Sequence, residues 1–213
     1  MKAYLITPCL ILLSILFSSC VRNSSPAIYE KIDLLPAPSG NLPAKEIMDL
    51  QGITSIRFVS YDSVVSSQKH DTAFNPTFEY YIDEKRVKII QYNPLTITVF
   101  AFEYNIAWNY YDGKYSYMNI PNVFAAYSLS VKEQLGSWLN DSWQFLYSES
   151  LDGKQCQVFG DNSGLTEWVW AKYRLPIQKK RVGSGDIYQI TYTKKMDIEI
   201  NKDFPDSIFI MKN

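Results

Sequence analysis

Histidine is almost missing from this chain of 213 residues: His70 is the only one. Histidine is the usual general base near neutral pH and a common zinc ligand, so its scarcity removes most ready-made hydrolytic and metal sites. A nucleophile-histidine device would have to be built on His70, which sits in the polar stretch 66–72, and no Gly-x-Ser-x-Gly elbow accompanies it. Glycine is sparse too, with 9 residues, and none form a phosphate-cradling loop or a dinucleotide fingerprint. Neither sign of charge dominates: the formal net charge is -1, which leaves no electrostatic footprint for nucleic acid. The acidic pairs offer little for glycoside chemistry. Asp83/Glu84 falls in a turn, and Asp197/Glu199 lies on the solvated face of a strand that places Met196, Ile198 and Ile200 inside. The expectation is a protein that is not an enzyme and carries no cofactor or metal.

Cysteine is the third scarcity, and here position matters more than number. The chain has Cys9, Cys20 and Cys156. Lys2 supplies a positive charge, residues 5–17 form a short apolar run, and Ser18-Ser19 leads directly into Cys20. That run is shorter and more interrupted than the roughly 20 residues a spanning helix needs, so it reads as an export signal. No Ala-x-Ala site follows nearby, and the small residues before a thiol resemble a bacterial lipobox, with Phe17 where leucine is commonest. The alternative is an ordinary signal peptide with a chance cysteine. The expected organisation is a lipoprotein signal over 1–19, a tether over 20–45 that begins at the lipidated Cys20, and one domain over 46–213. The tether is Ser-, Asn- and Pro-containing, as a spacer should be. With Cys9 removed and Cys20 carrying diacylglycerol and palmitate-class acyl groups, Cys156 has no disulfide partner and reads as a small buried hydrophobe. Val21-Arg22-Asn23 lacks an aspartate in the retention position, which points to an outer membrane; the periplasm is the expected side for the domain, with exposure to the exterior left open.

What the chain has in quantity is aromatic and β-branched residues: 16 Tyr, 11 Phe and 5 Trp make 15% of the sequence aromatic. Both kinds favour strands, and aromatics also line apolar pockets. Strand patterns run through residues 53–65, 77–92, 95–104, 106–111 and 114–120. Asp112-Gly113 marks a tight hairpin because type I′ turns need positive φ. Leu95, Ile97, Val99 and Ala101 share one face of their strand, while Thr96, Thr98, Phe100, Phe102 and Tyr104 share the other. Both faces become apolar, so something covers the second. Ser130-Val131-Lys132-Glu133 has the form of a capping box, predicting an amphipathic helix through Leu135, Trp138 and Leu139 towards Phe145 or Leu146. Strands return at 155–159, 165–172, 175–182 and 186–194, with a turn at Gly183-Ser184-Gly185-Asp186. The basic clusters Lys179-Lys180-Arg181 and Lys194-Lys195 read either as edge-strand charges or as contacts for anionic headgroups. The fold class is α+β, mainly antiparallel β, with a small helical insertion.

The C-terminal third adds a resemblance. Gly153-Lys154-Gln155-Cys156-Gln157-Val158, then Trp168-Val169-Trp170 with Leu175-Pro176, then Asp203-Phe204-Pro205-Asp206-Ser207-Ile208-Phe209 resembles the LolA-like lipoprotein-carrier superfamily. The resemblance implies a curved, incomplete β-barrel whose concave face is covered by helices, and it transfers no catalytic residue. Together with the aromatic surplus it implies an apolar ligand, a lipid or the acyl chains of a lipoprotein, held on the concave face. The candidate lining is Phe100, Phe102, Tyr104, Trp108, Tyr110, Trp138 and Trp143, each of which would otherwise be ordinary core. The expected partners are that ligand, the membrane through the anchor and an envelope protein, with no nucleic acid. The alternative is an envelope interaction or sensor module without a lipid ligand.

Overall fold

The computed structural model describes residues 42–66, 73–136, 143–183 and 189–210. Its elements run α1 (Ala44–Gln51), β1 (Ser55–Ser66), β2 (Asn75–Asp83), β3 (Arg86–Tyr92), β4 (Leu95–Ala101), β5 (Ile106–Tyr111), β6 (Lys114–Tyr117), α2 (Val123–Leu135), β7 (Gln144–Leu151), β8 (Lys154–Gly160), β9 (Leu165–Trp170), β10 (Leu175–Gly183) and β11 (Gln189–Ile200). All eleven strands form one sheet in the order β6-β5-β4-β3-β2-β1-β11-β10-β9-β8-β7. It is two antiparallel meanders joined where β1 pairs with β11. The ends β6 and β7 do not meet, so the sheet is curved and unclosed, as the resemblance implies. Register shifts in the β1/β11, β1/β2, β9/β10 and β7/β8 pairs supply the bends that such curvature needs.

Local chemistry explains the joints. Asp112 and Gly113 adopt φ of 50° and 74° and close the β5/β6 hairpin, and Asp152-Gly153 repeats the same geometry between β7 and β8. Gly52 ends α1 in the left-handed conformation, with its amide and that of Ile53 returning to the carbonyls of Asp49 and Met48. Helix α2 begins earlier than its sequence suggests. Asn122 caps it, accepting from the Ala125 amide at 2.9 Å, whereas Ser130 lies inside and donates to the Ala126 carbonyl. The helical pattern also stops at Leu135: Phe145 and Leu146 belong to strand β7, while Trp138, Leu139, His70 and the turn residues Ser184-Gly185-Asp186 lie outside the described residues. Phe102 to Tyr104 leaves the strand pattern for one 3-10 turn.

Two further readings change. Strands β10 and β11 lie inside the sheet, so Lys179-Lys180-Arg181 and Lys194-Lys195 protect no edge. Lys195 instead reaches across to the Gln134 and Pro176 carbonyls at 2.7 and 2.8 Å, above the Phe58 ring. Burial, with Lys179 nearby, pushes its ammonium down to about 7. In β11 a bulge at Asp197 (φ 52°) reverses the alternation. Met196 therefore shares a face with Glu199, opposite Val59 and Arg57, while Ile198 and Ile200 pack on the core.

The main core lies between the sheet and both helices. Ile47, Met48, Tyr127, Val131 and Leu135 meet Ile56, Phe58, Tyr80, Ile82 and Val87, and all are buried. Gln51 stitches the helices together by donating to the Leu135 carbonyl at 2.7 Å. Cys156 is buried and unpaired, and burial pushes its thiol up to about 11, as an inert core cysteine requires. No helix among the described residues is long and apolar enough to cross a membrane.

Candidate functional site

The cover over the second face of β2 to β5 is the C-terminal segment. Phe204, Ile208 and Phe209 pack with Tyr81, Ile97, Val99, Ala101, Trp108 and Tyr110 in a second, smaller core. Polar bonds fix the segment at each step. Asn201 accepts from the Thr54 amide at 2.8 Å and Ser55 donates to the Lys202 carbonyl at 2.6 Å. Arg86 bonds Asp206 at 2.6 Å, Lys88 donates to the Ile208 carbonyl at 2.9 Å, and the Trp108 indole donates to the Phe209 carbonyl at 3.3 Å. The Arg86 guanidinium also bonds Asp83 and lies 4.1 Å from the Phe209 ring centre.

Beside this segment the cover is incomplete. A recess of about 420 Å³ opens between Ala101, Ile106 and Trp108 on the sheet, Tyr104 and Tyr117 at its rim, and Phe209 and Ile210 of the segment. Its size falls in the range of small-molecule sites. Trp108 forms the floor at 4% exposure, whereas Tyr104, Tyr117 and Ile210 are 57%, 73% and 61% exposed. A polar recess of about 600 Å³ adjoins it, and the two share Arg86, Tyr104 and Asp206. Farther along the same face, Glu79 is buried and accepts from Arg57, Tyr81 and Tyr92 at 2.7, 2.8 and 2.7 Å. Burial works to raise its pKa, but those hydrogen bonds together hold the carboxyl below the usual range.

The residues anticipated as one lining are divided between faces. Phe100 packs on the helix-covered core, and Phe102 sits against Phe124 and Tyr127 of α2 with ring centres 5.2 and 4.8 Å away. Trp108 and Tyr110 lie on the opposite face, in ring contact with Tyr115 of β6. Tyr104 stands at the mouth of the recess. Trp143 is half-buried next to β7, at the far end of the sheet, and Trp138 lies outside the described residues. Of the seven, the structure brings Tyr104 and Trp108 together at a cavity. The sequence reading passed over Arg86, Ile106, Tyr117 and Ile210. Phe209 was in view only as part of a closing motif, and that motif was the available signal that the tail covers a face.

No protein-family model matches the chain, and no curated protein matches it. Solved structures similar to it include a LolA superfamily protein of Nitrosomonas europaea, at 13% identity over 80% of this chain and 98% of that one, with a TM-score of 0.32. LprF of Mycobacterium bovis matches at 10% identity over 79% and 98%, with a TM-score of 0.37. A DUF1329 family protein of Desulfovibrio piger matches at 11% identity over 78% and 94%, with a TM-score of 0.35. Likenesses this loose carry no function, which has to be read from the chain's own residues.

Proposed function

We propose that the chain is a lipid-anchored, non-enzymatic lipoprotein of the cell envelope that holds an apolar ligand, a lipid or acyl chain, on its curved sheet. One observation carries the reading: a recess of about 420 Å³ with an indole floor, mostly apolar or aromatic walls and the Arg86–Asp206 pair at one side remains open on the tail-covered face. The ligand is expected from the sequence on the helix-covered face, but Ile47, Ile56, Phe58, Val131 and Leu135 are fully buried there, which favours the other face. Each methylene buried there contributes roughly 0.8 kcal/mol, so affinity grows with the length of chain covered and needs few polar contacts. The lipid anchor on Cys20 and the outer-membrane, periplasm-facing location rest on the residues around that cysteine.

The full chain carrying Cys20→Ser tests this, because the substitution keeps the anchor's own acyl groups out of the measurement. Native mass spectrometry after purification without detergent should show retained amphiphile. Ile106→Arg, which puts a charge at the recess wall, should weaken uptake tenfold or more. A Cys20→Ser protein that takes up no amphiphile ends the reading. The same variant should leave the membrane fraction, and one that stays there ends the anchor assignment.

A second reading, an envelope interaction module, is favoured by the edge strand β7. Phe145, Leu146 and Tyr147 are consecutive and exposed there, and among the described residues no strand pairs with the outer side of β7, an edge that can accept a strand from another protein. Crosslinking from residue 146 would yield a stoichiometric partner if this use dominates.

A further inference from the structure

The surface around the apolar recess names a partner for it. Resting on the reading of that recess as a lipid site, we infer that its mouth docks on a lipid bilayer, through Tyr104, Tyr117, Phe124 and Ile210, so that the ligand enters from the membrane.

Residues 115–131 carry no charged side chain, in a chain that is 20% charged. Such a stretch would ordinarily be core, yet Tyr115, Tyr117, Phe124 and Leu129 are all exposed. The fold wraps this stretch around the recess. Its middle is pinned beside the recess wall, where the Met118 amide donates to the Ala107 carbonyl at 2.9 Å. Its helical part returns to the rim: the Phe124 ring lies 5.2 Å from that of Phe102, which shares a 3-10 turn with Tyr104. Tyr104, Tyr117 and Ile210 line the mouth itself, and each is more than half exposed. Exposed apolar surface gathered in this way marks a contact with something else.

The chemistry of the patch favours lipid. Tyrosine is apolar in its ring and polar at its tip, which suits the headgroup level of a bilayer, while Phe124 and Ile210 suit the acyl boundary beneath. The bordering cations are committed, Lys85 to Glu103 and Arg86 to Asp206, each at 2.6 Å, so the contact is apolar rather than electrostatic. An acyl chain leaves a bilayer reluctantly, because every methylene exposed to water is costly. A mouth seated in the membrane lets the chain reach the Trp108 floor without crossing water. Docking need not be strong. From Cys20 to Leu42 the chain spans at most about 75 Å, so an anchored domain meets its own bilayer at a high effective concentration.

The test asks which side of the domain meets lipid. The full chain is held in phosphatidylcholine vesicles by its own N-terminus and given one new cysteine at a time: Tyr117→Cys, Phe124→Cys or Leu95→Cys. Leu95 is also exposed but begins β4, at the end of that strand away from Tyr104. Each is labelled with a nitrobenzoxadiazole dye; Cys156 is buried, and the signal of the parent protein is subtracted. Nitroxide-bearing lipids should quench the labels at 117 and 124 about threefold more than the label at 95, and 1 M salt should leave that difference intact. Phe124→Glu combined with Leu129→Glu, both outside the recess, should bring quenching at 117 down to the level at 95. The same pair should slow uptake of a fluorescent fatty acid from vesicles about tenfold, without changing how much the protein holds at equilibrium. Equal quenching at all three positions, or a difference that 1 M salt abolishes, overturns the docking and leaves the apolar recess standing. Labels at 117 and 124 that are shielded only after an envelope extract is added would make the patch a protein interface, which also overturns it. Quenching as expected in a protein that takes up no fatty acid overturns the lipid site and leaves the docked surface.

Discussion

Strands β2 to β5 are covered twice, by helices on one face and by ten residues of irregular chain on the other, and the two covers differ in what they leave behind. Helices α1 and α2 present Ile47, Met48, Tyr127, Val131 and Leu135 to the sheet, and all five are buried there. The tail cannot: it has no repeating face, so it docks at points, through Phe204, Phe209 and a series of polar bonds, and leaves space between them. A regular element seals a sheet, whereas an irregular strap leaves a site. On the function proposed here, that difference puts the larger share of stability on one face and ligand binding on the other.

The sharpest way to break the comparison is to damage the sealed face. Phe58 is fully buried, stacked on Tyr80 with ring centres 4.9 Å apart and capped by Lys195. Phe58→Ala should cost about 3–5 kcal/mol, because the packed surroundings cannot collapse into the void. Urea unfolding followed by circular dichroism measures this. A loss below about 1 kcal/mol would mean the helix-covered face is not the principal core.

Next comes the strap. Arg86→Ala removes the clamp between Asp83 and Asp206 and the ring contact with Phe209. About 2 kcal/mol of stability should go, since Asp83 keeps its bonds from the Lys85 and Arg86 amides but loses its cation while partly buried. Limited proteolysis should then cut the C-terminal segment before the helices. If both regions are cut together, the strap and the core form one cooperative unit.

How much of this was legible beforehand follows the same division. The strands, the Asp112-Gly113 turn and the need to cover both faces of β4 could be read from alternation, because period-two patterns and turn chemistry are local. Helix α2 was found but misplaced: Ser130 and Glu133 imitate a cap, while the true cap, Asn122, precedes a run without clear amphipathic spacing. The bulge at Asp197 broke the expected alternation of Met196, Ile198 and Ile200, since nothing in those residues announces positive φ at an aspartate. The recess was the least legible part. Tyr104 and Trp108 meet Phe209 only through a contact spanning about a hundred residues, and Arg86 reads as a turn charge until Asp206 is placed beside it.

A third prediction concerns pH. The Glu79 carboxyl is held below its usual range by Tyr92, Tyr81 and Arg57, against the pull of its own burial. A carboxylate with a depressed folded pKa stabilises the protein fully above its unfolded value, near 4.3, and that contribution disappears as pH falls through the folded value. The urea midpoint should therefore drop on acidification below about pH 4.3, and Glu79→Gln should flatten that drop while lowering the midpoint at pH 7. The same titration in the Arg86→Ala protein should keep its slope, because Glu79 and the strap are held by different bonds.

The smallest expected effect isolates one bond of the strap. Trp108→Phe keeps an aromatic floor but removes the indole donor to the Phe209 carbonyl, at a cost of about 1 kcal/mol. On the sealed face a comparable trimming would open a cavity that nothing can enter. Here the space joins a recess already open to solvent, so the lost volume adds to the site. Trp108→Phe should thus lower the urea midpoint slightly while binding an apolar dye as well as the unchanged protein or better. Loss of dye binding in proportion to lost stability would mean that the recess is ordinary core and that the two faces do not differ in kind.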